Sequence, residues 1–213
     1  NTALPFTLPK IKQKGLSKTI AKADDFGWIW NIPLQTRTGC GYIFSDEFSS
    51  IETIESRIKE LYGNDTKMGN PIKFDSGSYK KVWIENVIAI GLSSGFLEPL
   101  EATSIMTTIF QLLKLPNDLF SSHYKEVYND YVNSLNYQNM MFIRHHYNCS
   151  REDTDFWKEY KSKLLPTELI EIYNSDNKED IYDILNIIDK QIIFRQVQYD
   201  HIYKNNFIIP SII

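Results

Sequence analysis

Residues 26–45 constrain the fold more than any other stretch of this chain. The sequence FGWIWNIPLQTRTGCGYIFS carries β-branched and aromatic residues on both sides of a polar turn, QTRTG. Such a pattern predicts a β-hairpin. Because successive side chains of a strand point to opposite faces, Trp28 and Trp30 should share one face, with Ile29 on the other. The first strand of the hairpin therefore presents a pair of tryptophans as one wall.

Helical periodicity follows the hairpin and dominates the second half of the chain. Apolar residues three or four apart in SSIETIESRIKELYG predict a helix that ends at Gly63. Three short extended pieces follow, PIKF, KKVWI and NVIAIG, and the last is apolar enough for a strand buried on both faces. From about Pro99 onward the spacing is helical, in SIMTTIFQLLKL, HYKEVYNDYVNSLNYQNMMFIRHHY, DTDFWKEYKSKL, DIYDILNIID and KQIIFRQVQYDHIYKN. We predict an α/β fold, α+β in this chain, with a boundary near residue 116 between region 1–116 and a helical region 117–213.

Composition and charge exclude several classes of function. A net charge of -4 and a pI near 5.6 give no basic excess for nucleic acid. Cys40 and Cys149 are far apart and lack metal-ligand spacing, so we expect reduced thiols rather than a disulfide framework or a metal site. Neither a long apolar run nor a signal-peptide pattern is present. We expect a cytoplasmic protein with no nucleic-acid or membrane partner.

The segment NVIAIGLSSGFLEPLEATSI, residues 86–105, is the sharpest local feature. It predicts a buried strand, a turn containing Gly91 and Gly95, and a helix opened by Pro99. The start of such a helix presents unpaired amides and the positive end of the helix dipole, which can bind an anion or the edge of a cofactor. A plain connection has the same pattern. Glu98 and Glu101 should lie at this helix start, where Glu98 would complement the dipole.

Three blocks of the sequence, taken in order, share the motifs of one enzyme family. The first is Trp28-Ile29-Trp30-Asn31-Ile32-Pro33, which has the form WxWxIP; the second is IAIGLSSGFLEPLEATSI; the third is FIRHHYNCSREDTDFWK, with the pattern HY...R-x-D-T-x-FW. Together they resemble the flavin-dependent halogenases, in particular the tryptophan halogenase family. The resemblance covers residues 26–158 and implies part of an FAD-dependent monooxygenase-like fold, in which a hairpin and strands of the flavin domain precede a mostly helical layer.

The resemblance assigns roles to particular residues. Trp28, Trp30, Ile32 and Pro33 match the tunnel between the flavin and the organic substrate, where the tryptophans keep substrate away from the flavin. Glu101 matches the catalytic glutamate of the EPLE motif, which works with a lysine on hypohalous acid. The residues that match the flavin-contacting segment are Gly91, Leu92, Ser93, Gly95, Phe96 and Pro99.

Two further residues, Thr103 and Ser104, match the positions whose backbone amides hold the halide ion. A helix N-terminus offers such donors. The chain has Ala102-Thr103-Ser104 where the family commonly has Ser-Thr-Gly, so Ser104 places a Cβ where glycine permits unusual backbone angles. Glu101 and a halide would be like charges close together, and we expect the family's lysine to offset them.

The resemblance implies that reduced FAD, O₂ and a halide ion yield hypohalous acid, which halogenates an electron-rich small aromatic substrate of the tryptophan, indole or phenol type. A separate flavin reductase would supply the reduced FAD. The family's GxGxxG fingerprint and the block with its catalytic lysine are absent from this sequence. We therefore expect a C-terminal part whose flavin site the missing N-terminal half completes, and a homodimer is compatible with this. A same-fold flavin monooxygenase and a non-catalytic or partner-dependent fragment remain alternatives.

Overall fold

The computed structural model of the chain describes residues 1–10, 19–100, 102–116, 122–147 and 151–163. These residues fall into two compact units. The first contains the described parts of Asn1–Phe74 and His146–Leu165, and the second contains the described part of Asp75–His145. This division follows contacts within the chain and differs from the predicted functional boundary near residue 116, which stays a prediction.

An antiparallel sheet forms the centre of the first unit. Its six described strands are β1 (Thr2–Pro9), β2 (Ile20–Asp24), β3 (Gly27–Pro33), β4 (Arg37–Phe44), β5 (Lys67–Met68) and β6 (Ile72–Lys73). They lie in the order β2-β3-β4-β1-β5, and β6 also pairs with β1. The predicted hairpin is confirmed, because β3 and β4 pair from Gly27 opposite Phe44 to Pro33 opposite Thr38.

The sequence pattern does not predict β1, because Pro5 interrupts it. Pro5 lies opposite Gly41 of β4, and on its other side its carbonyl accepts the Gly69 N–H at 2.8 Å. The nitrogen and the carbonyl of one strand residue face the same neighbour, so the missing N–H of Pro5 faces the interval between β5 and β6. The proline therefore removes no hydrogen bond from the β1–β4 ladder.

The predicted helix that ends at Gly63 is confirmed as α1 (Ile51–Tyr62). The Ser50 side chain caps its start by accepting the Thr53 N–H at 3.3 Å. Gly63 ends it with a φ of 102°, and its N–H donates to the Lys59 carbonyl at 2.8 Å. Both ends of α1 are thus set by residues that can be identified from sequence.

One face of the sheet packs on α1. Ile54 and Ile58 of the helix are fully buried there, and Ile29 of β3 faces them. Since side chains alternate along β3, Trp28 and Trp30 lie on the opposite face. The buried residues of this core are Leu4, Phe6, Ile29, Cys40, Tyr42, Phe44, Ile54 and Ile58.

A buried carboxylate ties α1 to the sheet. Asp24 is only 4% exposed, and it accepts hydrogen bonds from Tyr42 Oη at 2.6 Å and from Arg57 Nε at 2.9 Å. Burial acts to raise the pKa of Asp24, but the hydrogen bonds from Arg57 and Tyr42 outweigh it and hold the pKa below its usual value. Trp157 of α4 (Asp155–Lys163) donates its indole N–H to the Asp24 carbonyl at 2.8 Å.

Short strands and two helices make up the second unit. The elements are β7 (Gly77–Ser78), β8 (Trp83–Ile84), β9 (Val87–Ile88), β10 (Gly95–Phe96), α2 (Thr103–Lys114) and α3 (Ser122–Tyr147). β8 pairs with β9 and β10 pairs with β7, both antiparallel. The last two residues of α3 belong to the first unit.

These elements confirm the predicted helices over 104–115, 123–147 and 153–164 wherever the structure describes them; the two predicted over 180–205 lie outside the described residues. PIKF, KKVWI and NVIAIG each contain a two-residue strand. The expectation that NVIAIG is buried on both faces is wrong, because Val87 is 64% exposed. Among the described strands, β9 pairs with β8 alone, in a tight hairpin whose Glu85 has a φ of 49°.

The expectation that Pro99 opens a helix is also wrong, since α2 begins at Thr103. Residues 97–100 form a loop after β10, and Glu98 lies in this loop rather than in the first turn of a helix. Ala102 has left-handed angles, φ 54° and ψ 27°. A residue in that conformation cannot extend a right-handed helix towards its N-terminus, so it fixes where α2 starts.

None of the described helices combines the length and the apolar character that a membrane crossing requires.

Candidate functional site

The tryptophan pair lines the sheet face that is turned away from α1. Trp28 is fully buried and Trp30 is partly buried, while Ile32, two residues further on the same face, is exposed. The two indole rings have centroids 6.1 Å apart and are tilted by 58°. Pro33 ends the strand. Trp28 and Trp30 together, here called the tryptophan wall, thus lead from the interior of the first unit towards its surface.

Gly41 makes room for this wall. It lies directly opposite Trp30 in the β3–β4 ladder, and a Cβ built on it would overlap the Trp30 ring. The indole can therefore lie across β4 because the facing residue has no side chain. Sequence reasoning missed Gly41, although the hairpin register places it opposite the tryptophan.

Tyr147 holds the buried tryptophan in place. Its hydroxyl accepts the Trp28 Nε1–H at 2.9 Å. The Tyr147 ring stacks on Tyr160, with centroids 5.5 Å apart, and is tilted against Trp157 at 6.1 Å. The third resemblance block contains Tyr147 and Trp157, but nothing in its spacing indicated a contact with Trp28. The tryptophan wall is thereby anchored to an aromatic cluster within the same unit.

The residues that match the flavin-contacting segment occupy a turn, a strand and a loop of the second unit. Gly91 begins a single 3₁₀ turn with a φ of 64°, and a Cβ there would lie 3.0 Å from Thr108 Oγ1. Leu92, 71% exposed, and Ser93 form the tip of the turn. Gly95 and Phe96 form β10, and Pro99 follows in the partly buried loop.

Gln111 of α2 ties this turn to the helix. Its Oε1 accepts the Gly91 N–H at 2.8 Å, and its Nε2 donates to Ser94 Oγ at 2.8 Å. Ser94 Oγ in turn donates to the Gly91 carbonyl at 2.7 Å. Sequence reasoning assigned no role to either Gln111 or Ser94. The available signal was the spacing of Thr103, Thr107 and Gln111, which puts three polar residues on one face of the helix.

The halide-matching residues open α2. The Thr103 N–H and its Oγ1 both donate to the Leu100 carbonyl at 3.3 Å. Ser104 is the second residue of the helix, where an N–H has no intrahelical acceptor. The residue with a positive φ beside these two positions is Ala102, not Ser104. Glu101 lies outside the described residues.

The structure brings the predicted residues together in two sets. Trp28, Trp30, Ile32 and Pro33 belong to the first unit, whereas 91–99 and 103–104 belong to the second.

Cys40 is a buried free thiol whose pKa burial raises to about 12, so it is unreactive at neutral pH. The described part of the chain has no cluster of three metal-binding side chains. Cys149 lies outside it.

A protein-family comparison decides the affiliation. The family model for tryptophan halogenase matches residues 2–211. The chain belongs to the tryptophan halogenase family. Solved structures agree, because a tryptophan halogenase from Streptomycin violaceusniger superposes with a TM-score of 0.74 at 31% identity, covering 88% of this chain and 41% of that chain. Tar14, a tryptophan C-6 flavin-dependent halogenase from taromycin biosynthesis, gives 0.73 at 29% identity, covering 81% and 36%.

Among curated members of the tryptophan halogenase family, tryptophan 6-halogenase SttH from Streptomyces toxytricini is 36% identical over 160 residues. That match covers 72% of this chain and 31% of SttH. The chain thus spans about a third of the length of this relative. The mixed α/β character and the flavin-dependent halogenase fold expected from sequence are confirmed.

Proposed function

We propose that this chain is the C-terminal part of a flavin-dependent halogenase that acts on an electron-rich aromatic ring of the tryptophan, indole or phenol type. The match of residues 2–211 to the tryptophan halogenase family carries this proposal. When bound, reduced FAD supplies, with O₂, the oxidising power that turns a halide ion into hypohalous acid. A separate flavin reductase provides the reduced FAD, and the N-terminal half of the same protein completes the flavin site. A cytoplasmic location and a homodimer accompany the proposal as predictions.

The turn Gly91–Ser94, here called the glycine turn, has a backbone that can approach the edge of a flavin closely. Gly91 takes a left-handed conformation that glycine adopts far more readily than other residues, and a Cβ there would lie only 3.0 Å from Thr108 Oγ1. Leu92 and Ser93 stand exposed at the tip of the turn. These features support a role for residues 91–99 in contacting the cofactor.

The tryptophan wall separates the flavin from the substrate in this proposal. Trp28 and Trp30 are bulky, tightly placed by Tyr147 and Gly41, and offer no space for an aromatic ring between them. A small oxidant can pass along such a wall, whereas an organic substrate cannot. Direct oxygen transfer from flavin to substrate is thereby prevented, which favours halogenation over the monooxygenase alternative.

The start of α2 holds the halide, and Glu101 orients the hypohalous acid. The Ser104 N–H supplies one donor at the positive end of the helix dipole. The Thr103 N–H supplies a second donor if it exchanges the Leu100 carbonyl, 3.3 Å away, for the ion. A bond of this length is weak, so the exchange costs little.

The test is a product assay on the full-length protein. Its intact mass is measured first, because a polypeptide of about the 25.0 kDa of this chain would have no self-contained flavin site. The protein then receives FAD, a flavin reductase with its reductant, O₂, and chloride or bromide, together with tryptophan, indole or phenol. Mass spectrometry should detect replacement of one ring hydrogen by halogen, and omission of the halide should abolish it. A hydroxylated product would favour a monooxygenase instead, and bound FAD without any product would contradict catalysis.

Single substitutions assign the roles. Glu101→Gln should abolish most halogenation while FAD remains bound. Trp30→Ala should release oxidant or admit substrate, which lowers the product formed per flavin oxidised. Ile58→Val, in the helix α1 that packs on the opposite face of the same sheet, is the matched control and should leave this ratio unchanged. An unchanged ratio in Trp30→Ala would reduce the tryptophan wall to packing.

A second candidate, a fragment that depends on a partner, is favoured by one observation. α2 exposes a stripe of large apolar side chains, and such patches mark contact surfaces. These side chains are Ile105, Ile109, Leu112 and Leu113. The intact-mass measurement distinguishes the two candidates, because only this one requires a complete protein of about this chain's mass.

A further inference from the structure

Gln111 has a polar side chain with no exposure to solvent, and its amide bonds to the glycine turn. Oε1 accepts the Gly91 N–H and Nε2 donates to Ser94 Oγ, both at 2.8 Å. Burying a primary amide costs free energy unless it is hydrogen-bonded. The turn is therefore what allows α2 to pack with this residue inside.

The three groups form a closed ring of hydrogen bonds. The Ser94 hydroxyl has one proton, which it gives to the Gly91 carbonyl at 2.7 Å, so it must accept the bond from Gln111 Nε2. This direction fixes the orientation of the Gln111 amide, with Oε1 towards Gly91. The ring requires a side chain that accepts at one atom and donates at its neighbour, and the amide of glutamine does both.

The ring selects one backbone conformation for the turn. It engages the N–H and the carbonyl of Gly91, a residue that is otherwise free to adopt several conformations. Gly91 is held at a φ of 64° against Thr108, and Ser94 is buried. With both ends of the turn held inward, Leu92 and Ser93 are presented outward.

We propose that Gln111 is a positioning residue that pre-forms the turn Gly91–Ser94 for flavin binding. The inference rests on the proposed function, which places the flavin at this turn. Gln111 acts through Gly91 and Ser94. A turn that is already in its binding conformation avoids the cost of ordering when the cofactor arrives, so loss of the ring weakens binding by lowering the fraction of protein that is competent.

The test compares FAD affinity with thermal stability in the full-length protein. Gln111→Leu removes both bonds at similar volume and should weaken FAD binding about tenfold, measured by fluorescence titration. Thr107→Val is the matched control, because Thr107 is buried on the same face of α2 but bonds to Asn139 of α3 and to the Thr103 carbonyl. It should lower the melting temperature while FAD affinity stays within about twofold of the wild type.

Ser94→Ala tests the ring from its other side by deleting one oxygen. If the ring acts as a unit, Ser94→Ala weakens FAD binding. The variant that combines Ser94→Ala with Gln111→Leu then binds FAD about as weakly as Gln111→Leu alone. Ser94→Ala is informative even where Gln111→Leu does not fold. Wild-type affinity in these variants, or an equal loss in Thr107→Val, overturns the inference and leaves the proposed function standing. A wild-type protein that binds no FAD overturns the proposed function itself.

Discussion

α1 and α2 have the same length, 12 residues, but bury opposite kinds of surface. α1 turns Ile54 and Ile58 into the apolar core of the first unit. α2 turns polar residues inward and leaves large apolar residues outside. Its buried residues are Thr103, Thr107 and Gln111, and its most exposed large apolar residues are Ile105, Leu112 and Leu113.

The difference follows from what each helix packs against. The sheet beneath α1 offers apolar side chains, so burial of isoleucine stabilises the contact. Buried donors face the side chains that α2 turns inward: the Asn139 amide donates to Thr107 Oγ1 at 2.7 Å, and the Gly91 N–H donates to Gln111 Oε1 at 2.8 Å. An apolar face turned to these groups would leave buried donors unsatisfied. The need to give these buried donors an acceptor, rather than the burial of apolar area, thus decides which face of α2 is buried.

The largest expected contrast comes from the same substitution on the two helices. Ile58→Ala removes buried methyl groups from α1 and should lower the free energy of unfolding by about 4 kcal/mol. Ile105→Ala changes an exposed side chain on α2 and should lower it by less than about 0.5 kcal/mol. Urea unfolding of both variants measures the difference. A cost for Ile105→Ala similar to that of Ile58→Ala would show that α2 buries its apolar face in solution.

The sequence predicted α1 well because its signals are local. The isoleucine spacing and Gly63 lie within one short segment, and the hairpin is equally local. The sequence could not predict which face of α2 is buried. Its apolar periodicity favours Ile105 and Ile109, and only the groups brought beside it by the turn Gly91–Ser94 and by α3 reverse that preference.

Site residues show the same limit. The tryptophan wall could be predicted from strand alternation, because Trp28 and Trp30 are two residues apart. Tyr147, 119 positions from Trp28, could not, because the contact depends on how α3 ends in the first unit. Likewise, the start of α2 was predicted too early, since nothing in the sequence marks Ala102 as left-handed.

The next contrast concerns Arg57, the α1 residue that pairs with the buried Asp24. Arg57→Met leaves Asp24 buried without its cation and should lower the free energy of unfolding by about 3 kcal/mol near neutral pH. Glu60→Gln, which removes the charge of the most exposed partner of Arg57, is the control and should have little effect. No described residue of α2 makes a comparable buried ion pair.

The pH dependence of Arg57→Met sharpens this prediction. In the wild type, the pKa of Asp24 lies below its usual 3.8, so its contribution is present above that pH and is lost as the pH falls through the folded pKa. Without Arg57, burial dominates and raises the pKa, so the folded variant binds a proton more readily than the unfolded chain. Between neutral pH and about pH 3, the variant should therefore lose less stability than the wild type. Parallel curves would contradict the role of Arg57.

The smallest expected effect tests the polar face of α2 by its sign. Thr107→Val keeps the shape of the side chain and makes it more apolar, so an apolar-area rule predicts stabilisation. If buried donors must be satisfied, Thr107→Val should instead lower the free energy of unfolding by about 1 kcal/mol, because the Asn139 amide is left buried without this acceptor. Adding Asn139→Leu to Thr107→Val removes the stranded donor and should recover part of that loss, so the two substitutions should not be additive in urea unfolding. If Thr107→Val stabilises the protein, apolar area governs α2 as it governs α1, and the contrast between the helices fails.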